Sequence, residues 1–63
     1  KELLGYLYHN TANQLRCLGD LDEAEGLAEE ANNIARAIGN AEFLETSGAL
    51  IGRIADMRRQ AGA

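Results

Sequence analysis

Apolar residues recur at three- and four-residue steps along the chain, in three stretches that glycines separate. In the first stretch the recurring positions are Leu4, Tyr8, Thr11, Ala12, Leu15 and Leu18. This spacing puts them on one face of a helix. Because Leu3 and Leu7 widen the apolar surface, we expect this helix to contact neighbours on two sides. The pattern predicts a first helix over residues 2–18.

The second stretch, residues 21–38, has the same periodicity but carries alanine at most of its apolar positions. These positions are Ala24, Leu27, Ala28, Ala31, Ile34, Ala35 and Ile38. Small side chains let two helix axes approach to the short end of the roughly 8–10 Å range of packed helices. The alanines therefore predict a close antiparallel partner. Because only a short turn precedes this stretch, we expect the first helix to be that partner, with Ala12 as a matching small surface.

Glycine and polar residues mark where the predicted helices begin and end. Gly19 and Gly39 directly follow the first two stretches, and glycine at this place commonly adopts the left-handed conformation that ends a helix. Asp20 is a predicted N-cap, and Glu23 three residues later completes a capping-box pattern. Asn40 is the predicted N-cap of the next helix. Both connections are therefore expected to be tight turns.

The third stretch predicts a helix over residues 41–61. Its buried side is expected to consist of Leu44, Ser47, Leu50, Ile51, Ile54, Ala55, Met57 and Arg58. Arg53, Arg58 and Arg59 lie toward its C-terminal end, where cations interact favourably with the helix dipole. The predicted fold is therefore all-α, with three antiparallel helices in one unit that covers residues 1–63.

The charge and the cysteine content argue against several classes of function. The net charge of −4 argues against nucleic acid binding, which requires basic patches. No apolar run approaches the roughly 20 residues that span a bilayer, so we expect no membrane segment. One cysteine and one histidine can form neither a disulfide nor a four-ligand zinc site. A single thiol fits a reducing compartment, so we expect a cytoplasmic protein.

No set of nucleophile, base and acid is visible in the sequence. His9 and Cys17 are the best candidates, but eight residues separate them, which is about 12 Å along a helix. A nucleophile and its base must lie within hydrogen-bonding reach. The glycines are scattered, so they form no phosphate-binding loop. We therefore expect no enzymatic activity, no catalytic residue, no metal and no cofactor.

The sequence of the first helix is partly repeated in the third. A shift of 43 residues pairs Gly5 with Gly48, Leu7 with Leu50, Ala12 with Ala55, Arg16 with Arg59 and Gly19 with Gly62. Tyr8 and Thr11 fall on Ile51 and Ile54, so the apolar face keeps its phase. Self-similarity at a period of about 20–50 residues indicates stacked helical units.

The repeated unit resembles a tetratricopeptide repeat. The residues that carry the resemblance are Ala12, Leu18-Gly19-Asp20, Ala24 and Ala31. They correspond to the small residue late in the family's first helix, its turn, and the two alanines of its second helix. The 43-residue spacing exceeds the common 34. The longer variety resembles repeats of bacterial signalling and transcription-regulator proteins, and also those of kinesin-light-chain-like and polarity-adaptor proteins. The resemblance implies a hairpin over residues 1–40 and the first helix of a second repeat over 41–63.

The resemblance also implies a binding groove, because first helices line the concave side of such arrays. The implied groove positions include Tyr6, His9, Asn13, Arg16, Ala49, Gly52, Asp56 and Arg59. Positions that pack within and between repeats would be Ala12, Gly19, Ala24, Ala28, Ala31 and Ala55. Asn13 can donate to and accept from a peptide backbone, and Arg16 can bind a carboxylate. We therefore expect a non-catalytic interaction module whose partner is a protein or peptide.

A second hypothesis has no ligand site. The chain could be a structural, self-associating segment of a larger bacterial signalling or transcription-regulator protein. One repeat unit cannot bury its own apolar face, and about three repeats are normally needed for stability. Both hypotheses therefore lead us to expect that the isolated chain self-associates.

Overall fold

The computed structural model describes residues 2–62, which form three α-helices. Helix α1 spans Glu2–Leu18, α2 spans Leu21–Ile38 and α3 spans Ala41–Gly62. The all-α prediction is confirmed, and so are the bounds of the first two helices. The third helix is one residue longer than predicted. Gly62 keeps right-handed helical geometry, because only Gly19 and Gly39 have positive φ among the described glycines.

Helix α2 lies between α1 and α3 and packs against both of them. Near-reversing turns join consecutive helices, so α2 is antiparallel to each neighbour and α1 runs parallel to α3. Contact between the backbones of α1 and α3 is sparse. The side that α1 and α3 share is consequently open, while α2 closes the opposite side.

The core is built on the alanine positions of α2. Four alanines on this helix, Ala24, Ala28, Ala31 and Ala35, have no solvent exposure. At one end they pack with Ala12 of α1 and with Leu50 and Ile54 of α3. At the other end they pack with Phe43 of α3 and with the half-buried Tyr8 and Leu44. The row of alanines on α2 therefore packs against both α1 and α3, whereas the sequence predicted close packing against α1 only.

Gly5 is a close-packing position that the spacing of apolar residues does not predict. It is buried where all three helices meet. A Cβ atom on Gly5 would lie 2.9 Å from Ile34 Cγ2 and 2.9 Å from a ring carbon of Phe43. Gly48, which the 43-residue shift pairs with Gly5, has its nearest such neighbour, the Asn32 amide, at 3.9 Å. The two glycines therefore have different surroundings.

The apolar face of α1 is rotated relative to the prediction. Its buried line runs through Gly5 and Ala12, and successive helical residues differ by about 100° around the axis. Leu18 consequently turns away from α2 and is 81% exposed, whereas Leu4 is 44% exposed and lines a shallow depression with Tyr8 and Ile34 beside α2. Leu3 is 84% exposed, so it does not provide the second packed side of α1 within the described residues. The prediction that Leu3 and Leu18 face neighbours is therefore wrong for the part of the chain described.

The buried face of α3 also differs from the prediction. Its buried residues are Phe43, Ser47, Leu50 and Ile54. Phe43 takes the place expected for Leu44, which is half-buried, because the Phe43 ring reaches between α1 and α2. Arg58, predicted on the buried side, is exposed and forms ion pairs with Asp22 and Glu25 at 3.0 and 2.7 Å. These pairs join the end of α3 to the start of α2.

Both turns end their helices in the same way. Gly19 and Gly39 have φ values of 88° and 71°, as the glycine positions predicted. The Gly19 N–H donates to the Arg16 carbonyl at 3.1 Å, and the Asp20 N–H donates to the Leu15 carbonyl at 2.9 Å. The turn after α2 has the equivalent pair of bonds. This is the Schellman arrangement, which satisfies carbonyls at the helix end.

The two N-caps differ from each other. The Asn40 side-chain oxygen accepts from the Phe43 N–H at 3.0 Å, so the N-cap of α3 is confirmed. Asp20 occupies the N-cap position of α2 but makes no side-chain capping bond. Its ψ of 76° lies below the β region that N-cap residues normally adopt, so the carboxylate is not placed over the free N–H groups. The predicted capping box with Glu23 is therefore wrong.

Ser47 is a fully buried polar residue of the described chain. Its hydroxyl donates to the Leu44 carbonyl at 3.1 Å and accepts from the Asn32 amide at 3.1 Å. Burial of a hydroxyl without partners costs free energy, and these two bonds offset that cost. The Asn32 contact also fixes the position of α3 along α2.

Candidate functional site

Four of the predicted groove residues form a row along the side of α1 that faces α3. These residues, Tyr6, His9, Asn13 and Arg16, are called the polar row. At one end the Tyr6 and Phe43 ring centres lie 4.6 Å apart, with the rings inclined by 52°. The His9 and Phe43 ring centres lie 5.8 Å apart, nearly edge to face. The Phe43 ring of α3 thus packs against the side chains of Tyr6 and His9.

The His9 imidazole is half-buried in this row. Its Nδ1 atom is buried and has no hydrogen-bond partner among residues 2–62. Burial lowers the pKa of His9 from its usual value of 6.5, because removal of water disfavours the charged imidazolium. The neutral ring therefore predominates at pH 7, and the row carries no charge at this position.

Asn13 and Arg16 form the other end of the polar row. The Arg16 Nε and Nη2 atoms donate to Asn13 Oδ1 at 3.1 and 2.8 Å. Arg16 Nη1 also lies 3.7 Å from the Met57 sulfur on α3. The guanidinium is therefore held in place between the two parallel helices. The Asn13 amide nitrogen makes no bond within the described residues and remains available as a donor.

The two predicted groove residues on α3 stand apart from the polar row. Asp56 and Arg59 form an exposed ion pair with each other, one helical turn apart. Neither makes a side-chain bond to α1 within the described residues. The six predicted groove residues consequently form three groups: an aromatic pair, an amide–guanidinium pair and an isolated ion pair.

A cleft of about 260 Å³ lies between α1 and α3. It is called the α1–α3 cleft, and its lining residues are His9, Glu45, Thr46, Ala49, Leu50 and Arg53. Of the six predicted groove residues only His9 lines it, together with Ala49 from the wider implied set. Helix α3 contributes one wall of the cleft, called the α3 wall. The sequence did not predict the polar residues of this wall, Glu45, Thr46 and Arg53, as groove residues.

The spacing of the α3 wall could have identified it. Glu45, Ala49 and Arg53 recur every four residues, which places them along one face of α3. From sequence alone, the position of Arg53 toward the C-terminal end of α3 suggested an interaction with the helix dipole instead. Helix α3 continues to Gly62, and the dipole acts mainly within the last turn. That explanation of Arg53 is wrong, because the residue lies more than two turns before the helix end.

A second surface adjoins the polar row on α1 and shares Tyr6 with it. It is apolar and shallow, with a volume of about 460 Å³, and is lined by Leu3, Leu4, Tyr6, Leu7 and Asn10. We call it the leucine surface. Leu7 is 59% exposed there. Apolar groups left in water favour association, so this surface is a contact candidate separate from the α1–α3 cleft.

No protein-family description, curated protein or solved structure matches the chain. Within residues 2–62, no three His, Cys, Asp or Glu side chains are grouped so that they could bind a metal ion. None of the helices α1 to α3 combines the length and the apolar character needed to cross a membrane.

Proposed function

We propose that the chain is a non-catalytic protein–protein interaction module, of the tetratricopeptide-like kind, that holds a peptide or partner helix along the α1–α3 side. It would work in the cytoplasm, without cofactor, and its partner would be neither nucleic acid nor membrane. The chain's net charge and single cysteine support this assignment.

The observation that carries the proposal is the polar row. Tyr6, His9, Asn13 and Arg16 lie on one side of α1, and three of them also contact side chains of α3. The row combines aromatic surface with hydrogen-bonding groups, as interaction surfaces commonly do. Arg16 is held by Asn13 before any partner arrives, so less conformational entropy is lost on binding.

The open α1–α3 side gives a partner access to this row. Helix α2 covers the opposite side, and α1 and α3 approach each other only sparsely. The parallel arrangement of α1 and α3 is also the one expected for first helices of successive tetratricopeptide-like repeats. This agreement supports the family resemblance of residues 12–31 and the long repeat spacing.

Selection from a library of random peptides tests the proposal. Peptides selected on the folded chain should bind saturably in fluorescence anisotropy, and Asn13→Ala or Arg16→Ala should weaken their binding about two- to tenfold without unfolding the chain. Arg36→Ala is the matched control, because Arg36 also bonds an asparagine, Asn32, but lies on α2. Equal affinity for all variants would contradict the proposal.

The leucine surface favours a second function. On this alternative, the chain is a structural segment of a larger signalling or transcription-regulator protein and associates through apolar contacts, without a ligand site of its own. Leu3, Leu4 and Leu7 are exposed side by side, and their burial would be favourable. The two functions differ in their sensitivity to substitution. On the alternative, substitution of the leucines abolishes assembly, whereas substitution of polar-row residues does not.

A further inference from the structure

The α3 wall of the α1–α3 cleft contains two charged residues that no described residue neutralises. Arg16 and Arg36 each donate to an asparagine, and Arg58 and Arg59 form ion pairs. Arg53, by contrast, makes no side-chain hydrogen bond or ion pair within residues 2–62, although it lines the cleft. It is therefore the arginine of the described chain whose donors are all available.

Glu45 lines the same cleft and is likewise without a side-chain partner in the described chain. It lies eight residues before Arg53 on α3, which corresponds to about 12 Å along the helix axis. The two charges thus stand at opposite ends of the wall. They are too far apart to neutralise each other directly, since an ion pair requires approach within about 4 Å.

The surface between these charges is partly apolar. Ala49 presents a small side chain and Leu50 is buried at the cleft floor. The Thr46 hydroxyl donates to the Glu42 carbonyl, which leaves its oxygen able to accept a hydrogen bond from a ligand. His9 forms the α1 side of the cleft, facing this wall.

We propose that the α1–α3 cleft is a subsite for an extended peptide segment that carries an acidic side chain at Arg53 and a basic side chain at Glu45. This inference rests on the proposed function and specifies the ligand of its binding side. The carboxylate accepts from the Arg53 guanidinium, and the ammonium or guanidinium of the peptide donates to Glu45. The peptide backbone passes over Ala49.

The spacing of the two charges sets the spacing in the ligand. An extended chain advances about 3.3–3.6 Å per residue, so about 12 Å corresponds to three or four residues. Because successive side chains of an extended chain point to opposite faces, only an even separation lets both charges face α3, so the acidic and basic residues of the ligand are four positions apart. Helical ligands would need roughly eight positions for the same distance, which distinguishes the two conformations.

Titration monitored by amide chemical shifts tests the inference. The probe is a capped peptide of about ten residues, rich in Thr and Val to keep it extended, with one Glu and one Lys four positions apart. We expect saturable shifts at Thr46, Ala49 and Arg53. Arg53→Gln and Glu45→Gln should each weaken binding about two- to fivefold, as for solvent-exposed ion pairs.

A charge exchange provides the sharpest comparison. The Arg53→Glu variant should bind the peptide in which Glu is replaced by Lys better than it binds the original peptide. Arg36→Glu makes the same change in net charge on α2, away from the cleft, and should show no such exchange of preference. Identical behaviour of the two variants would indicate general electrostatic attraction and would overturn the inference.

The result separates this inference from the proposed function. Saturable shifts that depend on Arg53 and Glu45 support both. If binding of the library-selected peptides depends on Asn13 and Arg16 but is unchanged in the Arg53→Gln variant, the subsite is overturned and the proposed function is retained. Absence of any shift with the designed peptide also overturns the subsite, whereas the proposed function is then decided by the library selection.

Discussion

At the scale of single residues, two helical glycines have opposite roles. Gly5 lies where three helices meet, and any side chain there would contact Ile34 and Phe43. Gly26 lies in the middle of α2, and a Cβ atom there would meet nothing within 4 Å. Glycine is required at the first position by packing, while at the second it only weakens the helix.

Replacement of each glycine by alanine should therefore have opposite effects. Gly26→Ala should raise the free energy of unfolding by about 0.5–1 kcal/mol, since alanine has the higher helix propensity. Gly5→Ala should lower it by about 1–2 kcal/mol, because overpacking outweighs the propensity gain. Urea unfolding followed by circular dichroism measures both. A stabilised Gly5→Ala variant would contradict the packing described for the three-helix junction.

His9 should make the stability of the fold depend on pH. Its pKa is lowered in the folded state by burial, so the unfolded chain binds the proton more tightly. The contribution of the neutral imidazole is complete above the unfolded value of about 6.5 and is lost as the pH falls from there toward the lower folded pKa. Urea unfolding at several pH values should show this loss.

A His9→Gln variant is the control for that pH dependence. It keeps a polar side chain but has no group that titrates in this window. The difference in unfolding free energy between the chain and this variant should shrink or reverse as the pH falls below about 6.5. A difference that stays constant with pH would show that burial does not disfavour the charged ring.

At the scale of elements, the two helix starts provide a matched pair. Asn40 caps α3 through its side chain, whereas Asp20 makes no capping bond to α2. Asn40→Ala should cost about 1 kcal/mol of stability, the usual cost of a lost N-cap. Asp20→Ala should cost less than about 0.5 kcal/mol, because only its charge interacts with the helix dipole. Equal losses in thermal unfolding would contradict this difference.

The helix bounds could be predicted because their determinants are local. Gly19 and Gly39 ended their helices as expected, since positive φ is nearly specific to glycine. The alanine positions of α2 were likewise readable from their spacing. The Asp20 cap was not, because capping depends on a ψ angle that the residue type does not determine. Local patterns thus predict where these helices begin and end, but not whether a given N-cap side chain makes its capping bond.

Predictions about the site depended on how helices pack, which is a longer-range property. The first-helix positions of the groove fell on one side because a helical face follows from spacing. Phe43 could not be assigned from its own helix, because the space it fills is created by Gly5 and Ile34. The four-residue spacing of Glu45, Ala49 and Arg53 could have placed Arg53 on the face of the cleft, but its lack of a partner becomes visible only once the neighbouring helices are placed.

At the scale of the whole molecule, exposed leucines should lead to self-association. The leucine surface lies away from α2 on α1, so its burial requires a second molecule or further chain. We expect a monomer–dimer equilibrium in the micromolar range in sedimentation equilibrium. Leu7→Glu should weaken it by at least about tenfold, because burial of an unpaired carboxylate is costly.

Gln60→Glu is the control for the sedimentation experiment. It makes the same change in net charge at an exposed position on α3, away from the leucine surface of α1. It should therefore leave the dimer nearly unchanged. A folded chain that remains monomeric at all micromolar concentrations would contradict the self-association proposal, as would equal effects of the two substitutions.

The central proposal is that the polar side shared by α1 and α3 binds the partner. Amide chemical-shift mapping with a peptide selected from the random library tests it most directly. We expect the largest shifts at Tyr6, His9, Asn13 and Arg16, together with Ala49 on α3. Shifts concentrated on Leu3 and Leu7, or on the exposed side of α2, would contradict it.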